Sequence, residues 1–148
     1  MLKKNLFFLL IIHCSLCIIH SSTLEVSLDG SHPYSSIQPA IDTSVSGDTV
    51  LVYPGIYYEN LLMINKNIVL TSLQLFYPDS IYNKTTIIDG NQQSSVIRIE
   101  QCNESTVVNG FTIRNGSGYN NLNSPGSNGG GGLYIFQSSP QITNCIIT

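Results

Sequence analysis

Charged side chains are scarce in this 148-residue chain. Asp, Glu, Lys and Arg make up only 10% of the residues, and the formal net charge is -3. Six Lys and Arg residues form no basic stripe of the kind that neutralises phosphates, so we expect no nucleic-acid partner. The polar surface must come from Asn, Ser, Thr, Gln and Tyr. Such a surface suits sugars, and it is also common in exported β proteins.

Motifs that carry chemistry are missing as well. The chain has no G-x-S-x-G nucleophile elbow and no paired C-x-x-C zinc pattern. Its acidic residues form no D-x-D group, whereas calcium requires six or more oxygen ligands. His32, which precedes Pro33, has no partner visible in the sequence. We therefore predict no catalytic residue, no metal site and no cofactor, with calcium as a weak alternative.

The first residues are typical of an export signal. Lys3 and Lys4 precede an apolar stretch that begins at Leu6, and small residues follow it. This predicts a signal peptide over 1–22 and a secreted or cell-surface domain over 23–148. The apolar stretch is short of the ~20 residues of a membrane span. We expect no span after its removal, and a retained anchor stays open as the alternative.

Two cysteines, Cys102 and Cys145, fall in the predicted mature domain. Export permits a disulfide between them. The interpretation that we favour is two buried thiols that behave as small apolar side chains.

Helical periodicity is almost absent, and one helix is predicted, over Ser35–Ser44. Its apolar face consists of Ile37, Ala40 and Ile41. Pro39 fits only in the first turn, so Ser36 is the expected N-cap. A short helix with one apolar face can cover the open end of a stack of strands.

Short strands fill most of the remaining chain. They are predicted at Leu24–Leu28, Thr49–Tyr53, Leu61–Ile64, Asn67–Ser72, Thr85–Asp89, Ser95–Glu100, Thr106–Val108, Phe111–Arg114, Leu133–Phe136, Gln141–Thr143 and Cys145–Thr148. Alternation along them, as at Val50 and Val52, predicts one strictly buried face.

A weak internal repeat organises these strands. Aligning Val107–Thr112 with Ile142–Ile147 places Asn109 opposite Asn144, where their amides could form a ladder. Subtracting the glycine-rich insertion between the two segments leaves a period near ~21 residues, which is typical of a β-helix. The rival architecture is a sandwich of antiparallel strands.

Four segments carry a resemblance to a known family. They are Y-S-S-I-Q-P-A-I from Tyr34, P-G-I-Y-Y-E over Pro54–Glu59, T-I-I-D-G from Thr86 and V-N-G-F-T-I-R-N-G from Val108. The chain resembles the right-handed parallel β-helix, or pectin-lyase-like, superfamily. The first two segments are similar to the entrance of pectin methylesterases, and the last is closer to bacterial surface β-helix repeat proteins.

The resemblance implies an all-β, right-handed parallel β-helix with a short N-terminal capping helix. Structural roles then fall to Pro54, Gly55, Glu59, Asn109 and Asn144. The chain departs from the esterases at Gly130–Gly132, where their first oxyanion-stabilising Gln would stand. No Asp follows Asp89, so the catalytic carboxylates of that family have no counterpart. We expect no enzyme activity from this chain.

Exposed aromatic and cationic residues are the candidates for ligand binding, because tyrosine rings stack on sugar faces and arginine can meet acidic sugars. The candidate residues are Tyr57, Tyr58, Tyr119, Tyr134, Arg98 and Arg114. For the neighbours Tyr57 and Tyr58, the alternative is that one of the two packs under the turn after Gly55. The two insertions, Leu73–Asn83 and Asn115–Gly130, are where a binding surface could vary.

Together these features predict an exported, non-catalytic β-helix module that binds a polysaccharide or surface glycan, or mediates adhesion. One alternative is an N-terminal fragment of a polysaccharide-active enzyme that lacks its catalytic coils. Another is a structural stalk without a ligand. The pattern stops in the middle of a strand, so we expect further coils after Thr148.

Overall fold

The computed structural model describes residues 21–78, 81–118 and 129–148. The strands in these ranges are β1 Thr23–Val26, β2 Thr49–Val52, β3 Gly55–Tyr58, β4 Leu61–Ile64, β5 Val69–Ser72, β6 Thr86–Asp89, β7 Ile97–Glu100, β8 Val107–Asn109, β9 Thr112–Arg114, β10 Leu133–Phe136, β11 Gln141–Thr143 and β12 Ile146–Ile147. The helices are α1 Ile37–Thr43 and α2 Tyr82–Thr85, with a 3-10 helix at Leu73–Leu75.

Within the described ranges, the strands form three sheets. Sheet A has the order β1-β2-β5-β8-β11, sheet B has β3-β6-β9-β12, and sheet C has β4-β7-β10. From β2 onward the chain visits them in the cyclic order A, B, C. Every pairing between these named strands is parallel. The prediction of an all-β chain with few helices is confirmed, and the antiparallel sandwich was wrong.

The core lies between the three sheets. Val50, Val52, Ile97 and Ile99 are all 0% exposed, as the alternation predicted. Sheet pairing then stacks like residues from strand to strand, for example Leu61 beside Ile97 beside Leu133. Each fully buried aliphatic side chain stabilises the fold by roughly 1.5–3 kcal/mol relative to exposure.

Helix α1 begins where the sequence predicts, with Ser36 as the N-cap residue and Ile37, Ala40 and Ile41 buried. The Ser36 side chain, however, makes no capping hydrogen bond. The carboxylate of Glu59 takes that role, because its two oxygens accept from the backbone N–H groups of Ile37 at 2.8 Å and Gln38 at 2.9 Å. A negative charge at this helix end also suits the helix dipole.

The same helix completes the edge of sheet C. β4 is an edge strand there, so one side of its backbone has no strand partner. The side-chain amide of Gln38 accepts from Leu62 N–H at 2.8 Å and donates to the Leu62 carbonyl at 3.1 Å. At the other end of the helix, Lys66 donates to the carbonyls of Asp42 and Ser44. Side chains thus satisfy backbone groups that a sheet edge and helix ends leave open.

The structure departs from the sequence-based expectations in two places. Residues 55–58 form the strand β3, which was not among the predicted strands, because they pair with Thr86–Asp89. The repeat is also not a regular ~21-residue period. Thr49 pairs with Val69, 20 positions later, but Val69 pairs with Val107, 38 positions later. The second interval is longer because the 3-10 helix and α2 lie within it.

The register of the last pairing differs by one residue from the predicted alignment. Val107 pairs with Gln141, and Asn109 with Thr143. Asn109 nevertheless accepts from Asn144 at 2.8 Å across the diagonal, and donates to Thr71 on the other side at 2.9 Å. The structure therefore contains a ladder of polar side chains at the end of sheet A, formed by Thr71, Asn109 and Asn144.

Cys102 and Cys145 are both free thiols, in agreement with the favoured interpretation. Cys102 is buried, and burial raises the pKa of the half-buried Cys145 thiol. The predicted signal peptide lies outside the described residues except for its last two positions. Among the described residues, no helix is long and apolar enough to cross a bilayer.

Candidate ligand-binding surface

The outward side of sheet C brings together two of the predicted ligand-binding residues. Parallel pairing places Leu62, Arg98 and Tyr134 in one row, and Ile64, Glu100 and Phe136 in the next. The intervening residues Leu61, Met63, Ile97 and Ile99 point into the core and are at most 1% exposed. We refer to the six outward side chains as the sheet C outer face.

An ion pair occupies the middle strand of this face. The Arg98 guanidinium contacts the Glu100 carboxylate, and both side chains keep about a fifth of their surface exposed, at 22% and 20%. Glu100 is therefore a strand residue, as predicted, and its carboxylate has a cationic partner. The Arg98 guanidinium carbon also lies 6.0 Å from the centre of the Tyr134 ring, within the range of a cation–π contact.

Two aromatic rings form the adjacent strand of the face. The Tyr134 and Phe136 rings have centres 6.4 Å apart and planes only 14° from parallel. Phe136 is 48% exposed. Phe136 was absent from the predicted residues, although alternation along Leu133–Phe136 puts it on the same face as Tyr134. Such a surface can stack against the C–H face of a sugar while the ion pair contacts hydroxyl groups.

Tyr58 and Arg114 lie on a different sheet. In sheet B, Tyr58 pairs with Asp89, and Asp89 with Arg114. Tyr58 is 68% exposed. Arg114 Nε donates to Asp89 at 2.8 Å, so its charge is already matched by a carboxylate that is only 4% exposed. The sequence predicted Arg114 as an exposed cation available to a ligand, whereas the structure shows it paired with the buried Asp89.

Asp89, at the end of β6, holds several neighbouring groups together through its carboxylate. Its carboxylate accepts from the Asn91 backbone at 3.0 Å and from the Asn115 amide at 2.9 Å, in addition to Arg114. Desolvation raises its pKa, and these hydrogen bonds with the Arg114 charge outweigh that effect, so the pKa of Asp89 is lowered. A carboxylate held in this way is a poor general base.

Tyr57 is a core residue, and its predicted contact with a ligand was wrong. It is 2% exposed, and its hydroxyl donates to the Tyr53 carbonyl at 2.9 Å. Burial, with the charges of Glu59 and Asp29, raises its pKa to about 12. Tyr119 lies outside the described residues.

The remaining motif residues serve the fold. A Cβ atom on Gly55 would come within 2.7 Å of the Leu28 side chain, so this first position of β3 has no room for a larger residue. Pro54, which precedes it, is exposed. Close contacts also leave little room for a side chain at the glycines at 130–132. Gly131 and Gly132 accept from the backbones of Val96 and Ile97, and a Cβ on Gly131 would meet the Gly116 carbonyl oxygen at 2.6 Å.

A polar cluster that the sequence did not indicate surrounds His32. Its ring stacks on Tyr53 with centres 4.1 Å apart, and Tyr53 donates to Glu25 at 2.9 Å. His32 Nδ1 is 2.7 Å from the hydroxyl of Ser31, which also contacts Asp29. The partners come from β1, the following loop and the end of β2, so no sequence spacing reveals them.

In the parts of the chain that the structure covers, no three His, Cys, Asp or Glu side chains are grouped to hold a metal ion. Comparisons of the chain with protein-family models, with curated proteins and with solved structures found no match.

Proposed function

We propose that this chain is an exported, non-catalytic, right-handed parallel β-helix module of the pectin-lyase-like type, and that it binds carbohydrate at a cell surface. The cyclic visits to three parallel sheets support the solenoid, because each round of three strands stacks on the preceding one. The helix α1 over one end supports the capped entrance that the sequence resemblance implies.

The sheet C outer face is the observation that carries the binding proposal. It combines two near-parallel rings, an ion pair and two aliphatic side chains on a rigid sheet. Rigid aromatic side chains bind with a low entropy cost because few rotamers are lost. Catalysis has less support, since the buried carboxylate of Asp89 is held by three hydrogen bonds.

Glycan binding by the full chain tests this proposal. We expect a glycan array to give signals with the wild-type protein, and the double substitution Tyr134→Ala and Phe136→Ala to weaken them at least tenfold, about 1.4 kcal/mol. Tyr58→Ala is the matched control, because Tyr58 is equally aromatic and more exposed but lies on sheet B.

Absence of glycan binding would overturn the proposal and leave the structural stalk. Equal losses in Tyr58→Ala and in the double variant would remove the sheet C outer face as the binding site. Release of methanol or unsaturated products from pectin would instead support the enzyme alternative.

A further inference from the structure

We infer that the sheet C outer face takes an uncharged glycan rather than a polymer of uronic acids. This rests on the proposed function and adds the chemical class of its ligand. The inference depends on where the cationic side chains are and on what they already contact.

Three of the cationic side chains in the described ranges have acidic or carbonyl partners. Lys66 donates to the carbonyls at the end of α1, Arg98 pairs with Glu100, and Arg114 pairs with Asp89. Lys84 lies on α2, in the connection from sheet A to sheet B. Of these, only Arg98 belongs to the sheet C outer face, and Glu100 already neutralises it.

The overall charge also disfavours a polyanion. The sequence contains six Lys and Arg residues against nine Asp and Glu residues, and its formal net charge is -3. An excess of negative charge slows and weakens the approach of a polymer that carries a carboxylate on every sugar.

The ion pair itself selects against carboxylates. A uronate that reached Arg98 would compete with Glu100, and displacement would leave that largely buried carboxylate without its partner. A neutral sugar avoids this loss because a hydroxyl group can donate to Glu100 and accept from Arg98 while the pair remains intact. The Tyr134 and Phe136 rings beside it offer apolar area to the C–H face of the same sugar.

Polygalacturonate and its fully methyl-esterified form are a matched pair of probes, since they share a backbone and differ in charge. We expect the full chain to bind the esterified polymer at least tenfold more tightly at low ionic strength, measured by affinity electrophoresis and by calorimetry. Added salt should narrow the difference, because screening weakens the repulsion.

Glu100→Gln tests the role of the ion pair. The substitution removes the carboxylate that neutralises Arg98, so affinity for the charged polymer should rise and the preference should fall at least tenfold. Glu104→Gln is the control, because Glu104 is an exposed carboxylate on a turn outside the sheet C outer face and its loss changes the net charge equally. This control should keep nearly the wild-type preference.

The outcomes separate the two proposals. Equal or tighter binding of the charged polymer by wild-type protein overturns the uncharged ligand class and leaves carbohydrate binding in place. Equal effects of Glu100→Gln and Glu104→Gln overturn the role of the ion pair. If neither polymer nor any neutral glycan binds, the proposed function itself fails.

Discussion

At the scale of the residue, two neighbouring tyrosines show that a shift of one position along a strand moves a side chain from the core to the surface. Tyr57 and Tyr58 follow each other in β3, yet Tyr57 is 2% exposed and Tyr58 is 68% exposed. Successive side chains on a strand point to opposite faces, so one of the pair must be buried. The sequence shows the pair, but only the pairing of β3 with β6 shows which ring faces the core.

Tyr57 gives a prediction for high pH. Burial raises its pKa to about 12, against about 10 in the unfolded chain. The stability that this phenol contributes is complete below pH ~10 and is lost as pH rises toward 12. Urea unfolding between pH 8 and 11.5 should therefore show a falling free energy of unfolding above pH 10.

Tyr57→Phe should reduce that fall, while costing about 1 kcal/mol at neutral pH for the lost hydrogen bond. A smaller slope remains because the bond to Glu25 raises the pKa of Tyr53 as well. An unchanged pH profile in Tyr57→Phe would show that Tyr57 is not the responsible group.

At the scale of the element, α1, β3 and β4 act together. Glu59, directly after β3, accepts from the first N–H groups of α1, and Gln38 from α1 hydrogen-bonds to the edge of β4. The P-G-x-Y-x-E segment thus supplies a strand, a core tyrosine and a helix cap. These contacts explain physically why the P-G-x-Y-x-E segment occurs together with the helix that has S-I-Q at its start, from the N-cap residue Ser36.

Glu59→Ala should lower the free energy of unfolding by about 1–3 kcal/mol, because two hydrogen bonds to a charged acceptor are lost. Chemical denaturation measures this change, with Glu104→Ala as the control carboxylate. Glu104 is exposed, so its loss should change stability by less than about 0.5 kcal/mol. Equal effects of the two substitutions would argue against the capping role.

At the scale of the whole molecule, interior columns run across the strands of each sheet. In sheet B, Tyr57, Ile88 and Ile113 lie side by side in register and are almost completely buried. Their outward neighbours, such as Ile87, keep contact with solvent. Truncating an inward and an outward side chain of the same strand therefore measures how much burial in the core contributes to stability.

Ile88→Ala and Ile87→Ala compare these sides with the same change of residue. Ile88 is 0% exposed, so its truncation should cost about 2–5 kcal/mol through lost burial and a cavity. Ile87 is half-buried on the outside, and we expect a loss of about 1 kcal/mol or less. Thermal or urea unfolding measures both losses of stability. Similar losses for the two variants would contradict the assignment of Ile88 to the core and Ile87 to the outer side.

The sequence predicted much of the local structure. All eleven strands that it placed recur with ends shifted by at most two residues, such as Leu61–Ile64 and Leu133–Phe136, which are unchanged. Helix α1 and its buried face were also predicted. The strand β3 was missed because Pro54 and Gly55 are typical of turns, and its strand form depends on pairing with β6.

The candidate surface was predicted less well. Arg98 and Tyr134 were identified by residue type, but Glu100 and Phe136 were overlooked. The contact of Arg98 with Tyr134 depends on the register of β7 against β10. No period in the sequence predicts that register.

The sequence by itself determined the alternation of buried and outward side chains, the short strands and the single amphipathic helix. These are local properties, because neighbouring residues fix which positions can share a face. Only the tertiary structure decided the parallel registers, the cap from Glu59, the contact of Arg98 with Tyr134, the partner of Arg114, and the burial of Tyr57. Each of these joins residues brought together by packing, and no spacing along the chain specifies such a contact.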